Sequence, residues 1–343
     1  MAKRKRETTW SFAKEVKESR FALVENRRLS NEIANYQCRS SGQTPQAHTP
    51  VLAGGIGVER RCELFCLLSS VKDGDVIAGD VWRRLHVIWR YEAFEFYVYI
   101  ERLEQLAREN PEKARTGKLP IGDFDVFLAT QFLMKMAFSV VVGEYGAADW
   151  LGTKCLKYFV DPPPYVTPDA YTLGPVAPFL LKLYGLWRDI PVDLAGRGVS
   201  LLKPFQDILD AWNDPDRLDD AVFRLCELHA WKAVNYDLAD NDMIFGLQSG
   251  LHKDFPSEIL FIQRIRRDLG LSVPNPDHPL LRSPLMRMPF PCPKSGYDPW
   301  LAESLAKVGK EMPDLRIEWE EEYQKLGPTD PRRLPDTDFP DEC

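Results

Sequence analysis

Between Asp75 and Arg108 large apolar residues recur every seven positions, and no other stretch restricts the fold so strongly. Trp82, Trp89, Phe96 and Leu103 form one series, and His86, Ala93, Ile100 and Ala107 form a second beside it. An α-helix has 3.6 residues per turn, so positions seven apart stack nearly above one another and the two series make one continuous apolar stripe. Arg83, Arg84, Glu92, Glu95, Glu101 and Arg102 are expected on the remaining faces, with His86 at the edge of the core. Asn110-Pro111 marks the end of the helix. Phe96-Tyr-Val-Tyr-Ile100 is β-prone taken alone, yet the pattern on either side is helical.

The rest of the chain keeps this rhythm. Helices are predicted over about 11–37, 59–70, 123–142, 147–159, 175–188, 201–213, 219–239 and 256–269, with short ones at 299–308 and 315–326. The 123–142 segment is apolar nearly all round, which predicts a central position. Gly143 breaks it, and Pro162-Pro-Pro164 stops the next helix because proline lacks a donor and fixes φ. No strand–helix–strand alternation occurs, so a nucleotide-binding sheet is not expected. The expected fold is all-α: an antiparallel multi-helix bundle or a helical-repeat-like array, with a proline-rich C-terminal tail. Residues 1–310 are expected to form one domain in which 39–57 is a mobile loop, and 311–343 an acidic tail with one docking helix.

A chain of 343 residues, 44% hydrophobic and 28% charged, has ample material for a core. Its net charge of −7 is local. Residues 311–343 hold eleven acidic and four basic residues, so the remainder is neutral. A nucleic-acid binder would carry a basic excess, and the short run Lys3-Arg-Lys-Arg6 is read as a solvated N-terminus. Seven cysteines at irregular spacing, including Cys62 and Cys66 without a second pair of ligands, read as free thiols in a reducing compartment. The N-terminus has no apolar leader and the chain no clean membrane span, so a cytoplasmic location is expected, with neither nucleic acid nor membrane as partner.

Catalytic patterns fail on inspection. Gly54-Gly-Ile-Gly57 lacks the Lys-Ser/Thr ending of a phosphate loop. Asp219-Asp-Ala-Val-Phe223 resembles the magnesium motif of helical terpene synthases, and Asn241-Asp242 their second motif. Phe245 and Ser249, however, stand where that second motif needs further ligands. The histidines are scattered and no nucleophile elbow occurs. No catalytic residue, metal or cofactor is expected, and the chain is not expected to be an enzyme. A terpene-synthase-like magnesium enzyme and a helical scaffold are the alternatives. The stronger candidate is an acidic ridge of Asp216, Asp219, Asp220, Glu227, Asp237, Asp240 and Asp242 in and around one helix. Its last three members crowd a helix C-terminus, where the dipole disfavours negative charge, which hints at a basic partner. Trp319, Glu320 and Glu321 make a second acidic and aromatic group. Alternatively, Leu315, Trp319 and Tyr323 dock that helix on the body.

Phe255–Leu271 reads as one fully punctuated amphipathic helix. Ile259, Ile262, Ile265 and Leu269 form the apolar face, widened by Leu260 and Phe261, while Glu258, Arg264, Arg266, Arg267 and Asp268 take the polar side. Pro256 suits the first turn, Gly270 the C-terminal cap, and Leu271 folds back on the helix end. Three groups of residues also carry a resemblance: Phe-Pro-x-Glu-Ile-Leu at 255–260, Arg-x-Arg-x-x-Leu-Gly-Leu at 264–271 and Asp-His-Pro-Leu-Leu at 277–281. They look like the C-terminal segments of α-helical bacterial immunity proteins encoded beside polymorphic or type VI secretion toxins. Phe-Leu-Ala-Thr-Gln at 127–131 and Gly-Glu-Tyr-Gly at 143–146 are similar to the middle helices of the same proteins. The resemblance implies a protein that binds and neutralises one cognate toxin by occluding its active site. It transfers no functional residue, because such families vary their contact surfaces.

Overall fold

A computed structural model describes residues 78–119, 124–167, 169–171, 174–234, 255–282 and 286. The helices predicted at 11–37, 59–70, 299–308 and 315–326, the 39–57 loop and the 311–343 tail lie outside these residues. The described elements are α1 (Ala78–Glu109), α2 (Pro111–Arg115), α3 (Val126–Val142), α4 (Tyr145–Val160), α5 (Val176–Arg188), the 3-10 turn η1 (Ala195–Arg197), α6 (Lys203–Asp210), α7 (Pro215–Val234), α8 (Ser257–Asp268) and the 3-10 turn η2 (Leu280–Arg282). Among the described residues no strand occurs, and the nearest approach to one is an isolated bridge between Phe124 and Val166. The fold is all-α. No described helix is long and apolar enough to cross a membrane. The described residues fall into two compact units, 78–102 in one and 103–286 in the other.

In the 78–102 unit, Trp89, Ala93 and Ile100 of the expected series are buried, joined by Leu85, Ile88 and Tyr97, whereas Phe96 of that series is only half-buried. Two further expectations need correction. Glu92, placed on an outer face by its charge, is only 1% exposed, and His86, placed at the core edge, is fully inside against the Trp89 ring at 5.3 Å. Position 92 follows Ile88 and Trp89 by four and three residues, so it shares their side of the helix whatever its side chain.

The 103–286 unit is organised around α3, which packs on α4, α5 and α8. Helix α5 also meets α4, α6 and α8, and α7 lies against α6, α8 and η2. From Ala129 to Val142 every residue of α3 is buried, as its nearly uniform apolarity predicts. Its ends are set locally. Asp125 is extended and its Oδ1 accepts from the Leu128 amide at 3.0 Å, a cap that contributes about 1 kcal/mol. At the other end Gly143 turns left-handed (φ 87°). The Gly143 amide donates to Val140 O at 3.1 Å and the Glu144 amide to Ser139 O at 2.8 Å, so two orphan carbonyls are satisfied.

Helix α8 ends by the same motif. Gly270 has φ +69°, its amide donates to Arg267 O at 3.0 Å, and the Leu271 amide donates to Arg266 O at 2.8 Å. The boundaries of α8 match the expected ones closely, but its faces do not. Glu258, Arg264 and Arg266, expected in solvent, are buried beside Ile259, Leu260, Phe261, Ile262 and Ile265, while Leu269 is 42% exposed. The reason is position: α8 is wedged against α3, α5 and α7, so three of its sides are covered.

The two buried arginines of α8 have hydrogen-bond partners. Arg266 donates from Nε to Ser272 O at 2.7 Å and from a terminal nitrogen to Trp212 O, and its guanidinium sits 4.9 Å from the Trp212 ring. Burial lowers its proton affinity from the ordinary arginine value. Arg264 donates to the Tyr145 hydroxyl, which donates in turn to Asp268 Oδ2 at 2.9 Å, and Arg264 Nε lies 3.2 Å from Asp268 Oδ1. Burial pushes the Tyr145 phenol well above its usual range and raises the Asp268 carboxyl.

Candidate functional site

Helix α7 is built to show two different sides. Asp214 opens it: its Oδ1 accepts from the Arg217 amide at 3.3 Å, and Pro215 occupies the first turn. Leu218, Ala221, Val222, Leu225, Cys226, His229, Ala230 and Ala233 are buried. The opposite side carries Asp216, Asp219, Asp220, Phe223, Arg224, Glu227 and Trp231, all exposed. Asp216, Asp220, Phe223, Glu227 and Trp231 follow one another at four- or three-residue steps, so they form a single stripe.

Four of the sequence-predicted ridge residues, Asp216, Asp219, Asp220 and Glu227, are therefore brought together on this face. Asp237, Asp240, Asp242, Trp319, Glu320 and Glu321 lie outside the described residues. Sequence reasoning did not assign the two aromatics of the stripe. Phe223 is 39% and Trp231 41% exposed. The available signal was their spacing: Phe223 stands three residues after Asp220, and Trp231 four after Glu227. Of the basic residues on this side, Arg224 reaches toward α6, 3.5 Å from Asp207, whose other oxygen is 2.6 Å from Lys203. Lys232 lies 5.2 Å from the Trp231 ring.

The proline-rich segment 271–282 straps across the edge of this face. Gln263 Nε2 donates to Pro274 O at 2.9 Å, and the Asn275 amide donates to Asp219 Oδ1 at 3.1 Å. His278 does more than hold a local turn. Its Nε2 is 2.7 Å from Glu227 Oε1, its Nδ1 accepts from the Leu280 amide at 3.1 Å, and its ring meets Phe223 edge-on at 5.2 Å. Leu280 and Leu281 are buried beyond it. Two carboxylates of the ridge thus have structural work, and Asp216 and Asp220 point to solvent without such a contact.

A second histidine–glutamate pair lies beneath the face. His229 Nδ1 is 2.5 Å from Glu258 Oε1, and both side chains are buried. Cys226 is one turn before His229. Burial, reinforced by the charge of Glu258, pushes its thiol well above the ordinary range. Burial also holds the Cys155 thiol up, at about 12. Thiols kept protonated in this way are poor nucleophiles, and the His229–Glu258 contact joins α7 to α8. Among the described residues no group of His, Cys, Asp and Glu side chains is arranged to hold a metal ion. Asp219 and Asp220, the pair that resembles a magnesium motif, diverge: the first accepts from the strap and the second faces solvent.

What the arrangement offers chemically is recognition. A helix face with two carboxylates held by the strap, two in solvent and two part-exposed rings can pair with cationic side chains and bury apolar ones. Compared with known proteins, the chain matches no protein-family model, no curated protein and no solved structure.

Proposed function

We propose that this chain is a binding protein, not an enzyme, and that it works as a cytoplasmic immunity protein, neutralising one cognate secreted toxin by occluding its active site. One observation carries the reading: the exposed side of α7 combines Asp216, Asp219, Asp220 and Glu227 with the part-exposed rings of Phe223 and Trp231. Binding hot spots are typically aromatic anchors within a polar surround. Carboxylates around them suit a partner with a basic cleft, because complementary charge speeds encounter and fixes register. The strap and the buried His229–Glu258 pair support this reading by fixing the face before any partner arrives, which limits the ordering cost of binding.

The test is co-purification with the product of the adjacent gene, together with survival of cells that express that product. A complex and protection are expected. Asp216→Lys combined with Asp220→Lys, neither of which touches the strap, is expected to slow association about tenfold or more at low salt, with a smaller effect at high salt. No complex and no protection would overturn the proposal. A complex indifferent to both substitutions would move the interface away from α7.

A further inference from the structure

We draw no further inference here: the strongest candidate, the exposed stripe of Asp216, Asp220 and Trp231 on α7, belongs to the site already described, and nothing in the structure shows what covers it.

Discussion

Gly152 on α4 offers a sharp test of how α4 and α5 approach each other. A Cβ built there would lie 2.4 Å from Tyr184 Cε2 and 2.6 Å from both Cδ2 and Cζ. The ring cannot easily retreat. Tyr184 is buried, its hydroxyl is 3.1 Å from Thr153 Oγ1, and the same ring is packed edge-on against Trp187. Two terms compete in Gly152→Ala. Alanine is the better helix former by about 1 kcal/mol, whereas forcing a methyl into a filled space costs about 1–3 kcal/mol, and more where nothing can move. Three sub-contact distances to one pinned ring place this site at the upper end, so a net destabilisation of about 2 kcal/mol is expected. Urea denaturation followed by tryptophan fluorescence measures it. The reasoning is best tested by a cycle. With Tyr184→Ala as background the ring is gone, and Gly152→Ala should become neutral or stabilising by up to about 1 kcal/mol. An equal loss in both backgrounds would refute the claim that the ring is the obstacle.

Two further predictions concern ionisable groups. Burial alone would raise the Glu104 carboxyl, but hydrogen bonds from Lys154 Nζ and Tyr158 Oη, at 2.8 and 2.7 Å, hold it below the usual range. A carboxyl lowered in the folded state stabilises above its unfolded value and loses that contribution as pH falls through the folded one. Glu104→Gln should therefore cost most near neutrality, and its difference from wild type should shrink below about pH 4 in thermal melts. Cys155 and Cys226 are buried with raised thiol values, so neither should react with a thiol reagent at about pH 8 until the protein is unfolded. Mass spectrometry of alkylated peptides reads this directly, and labelling of either residue in the native state would contradict its placement.

Helix ends were readable in the residues because they are decided within a few positions of the chain. Gly143 and Gly270 each act through backbone groups at most five residues away, so their chemistry does not wait for the fold, whereas α7 begins at Pro215, four residues before the expected start at 219. Periodicity likewise located the buried side of α1 and the all-round burial of α3. That Asp216, Asp219, Asp220 and Glu227 share a face also follows from spacing alone. Which sides of α8 are covered does not, since periodicity reports where apolar residues lie and not how many neighbours surround them. Glu258, Arg264 and Arg266 are buried because α3, α5 and α7 close in on them, and their compensation comes from His229, Tyr145 and Trp212, each at least twenty-nine residues away in the chain. The ridge shows the same division. Its charge was written in the sequence, but the capture of Asp219 by Asn275 and of Glu227 by His278 spans more than fifty residues. Local chemistry therefore determined the helices and their charged faces. Tertiary packing alone decided which charges are buried, which hold the strap, and which remain in solvent, because a hydrogen bond between distant residues exists only once the chain has brought them together.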